Sequence, residues 1–115
     1  LDAGIPVIGI SSDAYLSNPA RNALGLHLQQ ACTLCVNNFA PHGDACLKPE
    51  GWQTGMTPVS TVASTYIINS VLAESVRMAA ADGVNVPLYV SGNISGGAER
   101  NKALIEAFKP RISCL

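Results

Sequence analysis

Short continuous apolar runs alternate along this chain with polar, glycine- and proline-marked turns. The first run is Ile5 to Ile10, bounded by Gly4 and by the pair Ser11-Ser12. Runs of this length mark strands buried on both faces, as in parallel sheets. Pro6 is tolerable there because it stands near the strand's first residue. Ala31 to Val36 predicts a second strand, Ala45 to Lys48 a short edge strand, and Val86 to Val90 a third strand or extended arm. Tyr15 to Leu28 is helix-like but broken by Pro19 and Gly25. Ala98 to Phe108 has helical spacing and is ended by Pro110.

The centre of the pattern is the stretch from Gly51 to Gly83, which carries the one long helix that the pattern predicts. Pro58 suits a first helical turn, where its missing N–H has no intrahelical partner to lose. Thr57 is then the expected N-cap, with Ser60 and Thr61 as further hydroxyls, and Gly83 is the left-handed stop. Val62, Tyr66, Ile67, Val71 and Met78 occupy one broad face, and Ala63, Ile68, Leu72, Val76 and Ala79 most of the rest. A helix apolar nearly all round is covered on several sides. Cover partly by a sheet and partly by another subunit or a missing half-domain is expected. Simple core packing is the plainer alternative.

The order strand, helix, strand, loop, long helix, extended arm, helix predicts an α/β domain with a parallel sheet. Two or three strands fall short of the roughly four to six that an open sheet usually carries. The chain begins at Leu1 and reads as a helix tail entering a strand, so further strands are expected upstream. Residues 1–115 are taken as part of one domain.

Composition narrows the function. Hydrophobic residues make up 48% and charged residues 13% of 115, a charged share about half the usual quarter. So few surface charges predict a large contact with another chain. A net charge of −1 invites neither nucleic acid nor an anionic membrane. There is no apolar run of membrane-spanning length and no signal-peptide pattern. Cys32 and Cys35 form a C-x-x-C, but no second pair or spaced histidines complete a zinc set. Within a strand the two thiols would face opposite ways. Buried, reduced thiols in a cytoplasmic protein without metal or cofactor are expected, with a thiol redox pair as the alternative.

Candidate chemistry gathers at predicted strand ends, where open α/β sheets place ligands. Ser11 and Ser12 could donate to a sugar or phosphate, or Ser12 and Asp13 could cap a turn. His42 and Asp44 suggest a general base with its orienting carboxylate, or a loop Asp meeting backbone N–H groups. Ser91 to Gly97, between an extended segment and a helix, has the geometry of an anion cradle without a dinucleotide or P-loop fingerprint. No G-x-S-x-G elbow is present. His27, between Leu26 and Leu28, reads as a packed histidine.

These motifs, in order, resemble the back half of a bacterial sugar isomerase (SIS) domain, in its phosphosugar isomerase branch. The residues that carry the likeness are Ser11-Ser12, Gly43-Asp44-Ala45, Thr57-Pro58-Val59-Ser60-Thr61, Ser91-Gly92-Asn93, Gly96-Gly97, Glu99-Arg100-Asn101 and Arg111-Ile112. The resemblance implies a three-layer α/β/α sandwich with a parallel sheet of flavodoxin type, here its C-terminal half. It implies a sugar phosphate ligand and an oligomer, either of like chains or with a complementary N-terminal half. Ser11, Ser12, Asp44, Ser60, Thr61, Asn93, Arg100 and Asn101 become the expected substrate-binding residues, with Arg100 and Asn101 reaching a neighbour's site. Gln53 stands where that family has Glu, Gly55 where it has Lys, and Arg100 where it has His. The resemblance implies first a phosphosugar-binding domain of the aldose–ketose sugar-phosphate isomerase kind, inactive as an isolated half; the departures speak for the alternative, a non-catalytic sensing or oligomerisation module, and the isolated chain is not expected to bind with full strength.

Overall fold

The computed structural model describes residues 4–112 and 114. The chain divides into two units, one running to Ala73 and the other starting at Glu74.

In the first unit, β1 (Ile8–Ser11) pairs in parallel with β2 (Leu34–Asn37), Ile8 opposite Leu34 and Ser11 opposite Asn37. The ladder extends beyond both ends of the strands. Thr33 and Leu34 N–H donate to Val7 O, and Asn38 N–H donates to Ser11 O. Both strands finish at one level, so Ser11, Ser12, Asn37 and Asn38 share one sheet end. The apolar run 31–36 does not start as a strand. Helix α1 (Leu28–Ala31) occupies its beginning and Cys32 ends that helix. Gly9 lies against it: a Cβ there would sit 3.0 Å from both Cys32 Sγ and Leu28 Cγ. Glycine lets the short helix close on the strand.

The helix expected over 15–28 is replaced by a 3-10 turn, Asp13–Tyr15, and by turns around Pro19 and Gly25. Ser12 caps the 3-10 turn, its Oγ accepting from Ala14 N–H. The edge strand is present as β3 (Ala45–Leu47), antiparallel to β4 (Met56–Pro58). Pro58 therefore ends a strand, and Thr57, with φ 66°, sits in that strand. Thr57 is not the cap of the long helix α2 (Val59–Ala81). Asp44 does that work from β3's entry, because the hairpin holds it beside the first free N–H groups. Its carbonyl accepts from Val59 N–H and its carboxylate from Ser60 N–H.

α2 ends as its sequence implies. Gly83 has φ 76°, its N–H donates to Ala80 O, and Val84 N–H donates to Ala79 O. Those two bonds make a Schellman motif. No residue of α2 is buried.

The second unit holds the end of α2, an extended segment and α3 (Gly97–Phe108). Val86 to Val90 forms no strand. Its last residue pairs with a side chain instead: Asn101 Oδ1 accepts from Val90 N–H at 3.0 Å and Nδ2 donates to Val90 O at 2.8 Å. Gly97 starts α3 so close to the preceding turn that a Cβ would stand 2.2 Å from Ser91 O.

Among the described residues, Ala40 is the single buried hydrophobic side chain. The described strands form two separate two-stranded sheets.

Candidate functional site

The carboxyl ends of β1 and β2, the loop after β2 and the first turns of α2 enclose a cleft of about 360 Å³. Ser11, Ser12, Asn38, Asp44, Ser60 and Ser64 supply its polar lining, beside Ile10, Tyr15 and Ala40. The cleft is built by a chain of hydrogen bonds. Ser12 is 6% exposed, and its hydroxyl donates to Ala40 O. Asn38 Oδ1 accepts from Ala40 N–H at 3.1 Å, and Asn38 Nδ2 donates to Ser64 Oγ at 3.1 Å. Buried polar side chains satisfied in this way fix the loop rather than cost it stability.

Asp44 is the cleft's one charged group. Its φ of 62° is left-handed, a region that Asn and Asp enter more readily than most residues. Asp44 Oδ1 accepts from Ser60 N–H at 2.7 Å and Oδ2 accepts from Ser60 Oγ at 2.6 Å. The Ser60 hydroxyl, then the Ser60 N–H, hold the carboxyl below its ordinary range. The negative charge also faces the positive end of α2.

Four of the sequence-predicted residues, Ser11, Ser12, Asp44 and Ser60, therefore meet in one cleft. Thr61 lies in the same helical turn but is exposed and does not line it. Asn93, Arg100 and Asn101 belong to the second unit. Asn93 is exposed and its N–H donates to Ser91 Oγ; Arg100 is exposed; the Asn101 amide is engaged by Val90. Asn38 and Ser64 escaped sequence reasoning. Ser64's signal was available, one helical turn beyond Ser60, but it was masked by the apolar residues around it.

His42 and Asp44 are not a catalytic pair. His42 stacks on Tyr15, ring centres 5.1 Å apart, and its Nε2 pairs with Asn18 Nδ2 at 3.0 Å. Asp44 is committed to Ser60. The cysteines also differ from expectation. Cys32 and Cys35 do not face opposite ways along one strand, since Cys32 belongs to the end of α1, and the two thiols interact. Burial first, then the Cys32 thiol, push the Cys35 thiol's pKa up, the reverse of a reactive redox cysteine. Among the described residues no group of three or more His, Cys, Asp or Glu could hold a metal ion. No described helix is long and apolar enough to cross a membrane.

No protein-family model matches the chain. It is similar to UPF0309 proteins of several bacteria. That of Halalkalibacterium halodurans is 39% identical over 115 residues, 99% of this chain and 46% of the relative. That of Geobacillus sp. strain WCH70 is 36% identical over 113 residues, 97% of this chain and 46% of the relative. That of Listeria innocua is 32% identical over 115 residues, 99% of this chain and 47% of the relative. These findings overturn the sugar isomerase domain resemblance, and the assignment to that family's C-terminal half goes with it: the relatives' names carry no such domain. The chain is similar, across nearly all its residues, to UPF0309 proteins of which it spans slightly under half.

Proposed function

We propose that the cleft at the β1–β2 sheet end binds the hydroxyl-bearing part of a small sugar phosphate. The observation that carries this reading is the Asp44–Ser60 pair at the start of α2, set among Ser11, Ser12, Asn38 and Ser64. A carboxylate beside several hydroxyls and an amide matches a polyol's mixture of donors and acceptors. Asp44 excludes the phosphate itself from this end, because its own charge already occupies the helix terminus. The role is binding rather than turnover. A carboxylate held below its ordinary pKa is a weak base, and among the described residues no histidine, lysine or second carboxylate lines the cleft with it.

Titration calorimetry of the full-length protein with hexose phosphates tests this. Ser60→Ala and Ser64→Ala are expected to weaken binding about tenfold each, on the scale of one lost hydrogen bond in a recognition site. Thr61→Ala is expected to bind as the parent does. Unchanged affinity in both serine variants removes the cleft from the ligand site.

A second reading, assembly, is favoured by α2 itself. Val62, Tyr66, Ile68, Val71 and Leu72 are all exposed on it. Single exposed apolar residues are ordinary, but so many around one helix leave it a surface for other protein to cover. In this reading α2 meets a like chain, or protein that completes a larger parallel sheet beside β1 and β2, giving the three-layer sandwich. Both readings hold together, since the cleft uses only the first turns of the helix.

A further inference from the structure

The cleft just described leaves a sugar phosphate's phosphate without a partner, for it is lined by one carboxylate and by no lysine or arginine. A second cleft, of about 450 Å³, adjoins it. Tyr15 lines both. The second cleft has the opposite character. Arg21, His27 and His42 line it together with Asn18, and no carboxylate does. The Arg21 guanidinium makes no hydrogen bond or ion pair to any described residue. The acceptor role of His42 Nε2 toward Asn18 leaves Nδ1–H as the donor of the neutral ring. The turn that carries these groups is itself tied down: Asn22 Nδ2 donates to Leu26 O at 2.8 Å, and Tyr15 Oη accepts from Gly43 N–H at 2.9 Å.

We propose that the Arg21–His27–His42 cleft is the anion subsite of this protein and takes the phosphate of the same ligand whose hydroxyls meet Asp44 and the serines. The assignment rests on the sugar reading above and adds the end that reading leaves open. Arg21 supplies a permanently charged planar fork suited to phosphate oxygens, and the two imidazoles add N–H donors. Tyr15, shared by the two clefts and stacked on His42, is the wall over which the ligand lies. The charges sort the ligand's direction. A dianion is drawn to the side with arginine and histidines and repelled from Asp44, so one orientation is favoured by both ends.

The test follows histidine ring protons and backbone amides by NMR in the full-length protein, titrated separately with inorganic phosphate, glucose and glucose 6-phosphate. Phosphate is expected to shift His27 and His42 but not Ser60 or Ser64. Glucose should do the reverse, weakly, and glucose 6-phosphate should shift both sets. Arg21→Gln should weaken glucose 6-phosphate binding tenfold or more and leave glucose binding unchanged. Arg21 is exposed, and an otherwise unchanged amide spectrum checks that the variant is folded. Shifts at the serines without shifts at the histidines, or full affinity in Arg21→Gln, overturn the subsite and leave the sugar reading standing. Shifts at the histidines without shifts at the serines overturn the sugar reading, and with it the joining of the two clefts.

Discussion

Asp44 carries three duties on one side chain: it turns the chain through a left-handed residue, caps α2 and charges the cleft. Its lowered pKa sets a pH dependence whose sign is fixed. The folded form prefers the ionised carboxylate, so the stabilisation is complete above the unfolded value, about 3.9. It fades as pH falls below that and is gone once pH passes the folded value. Asp44→Asn is therefore expected to lower the melting temperature at pH 7 and to flatten its decline as pH falls below the unfolded carboxylate's value. A thermal-unfolding series over pH on parent and variant reads both effects. Ser12 shows the cost of a buried hydroxyl. Ser12→Ala leaves Ala40 O without its donor and Ala14 N–H without its acceptor. A loss of about 1–3 kcal/mol in urea unfolding is expected. The thiols give a third check. Cys35, raised by burial and by its neighbour, is expected to react with iodoacetamide at neutral pH more slowly than exposed Cys46, as peptide mapping of a short reaction would show.

At the scale of elements, periodicity and punctuation were legible where contacts are local. Gly83 and Val84 close α2 through bonds to residues three and five positions before them, and the final helix starts within one residue of its expected start. What the chain did not disclose is decided across distance. Thr57-Pro58 reads as a helix entrance because the competing partner, Ala45, stands thirteen residues away in β3. The hairpin converts that entrance into a strand and brings in Asp44 as the cap. The run 31–36 hid a helix end for a similar reason, since Leu28 and Cys32 gain their contact from Gly9. The candidate cleft was half legible. Serines at a strand end and a glycine–aspartate turn can be seen in sequence, whereas Asn38 and the Arg21 turn matter only through a loop's path. Gly9→Val tests the element-level account. It would force the α1 end off β1, and a cost of about 1–3 kcal/mol is expected from such overpacking, read by denaturant unfolding.

The whole molecule is short of interior. With Ala40 as the buried hydrophobic among the described residues, hydrophobic burial within the chain can supply little of the stability that folding requires. Ile8, Ile10, Val36, Ile67, Ile68, Val71 and Leu72 line one apolar hollow of about 260 Å³. The assembly reading expects this face to be covered in solution. Sedimentation velocity across a concentration series of the full-length protein should show a species heavier than one chain, and Ile68→Glu with Leu72→Glu should shift it toward the single chain. A single-chain species in the parent at every concentration counts against self-association. The Asn101 side chain bears on assembly in another way. By taking both main-chain groups of Val90 it acts as a doorstop on one edge of the arm from Val86: a foreign strand zipping along that edge would find its last rung already taken, so recruitment of stray chains there is limited by a single amide.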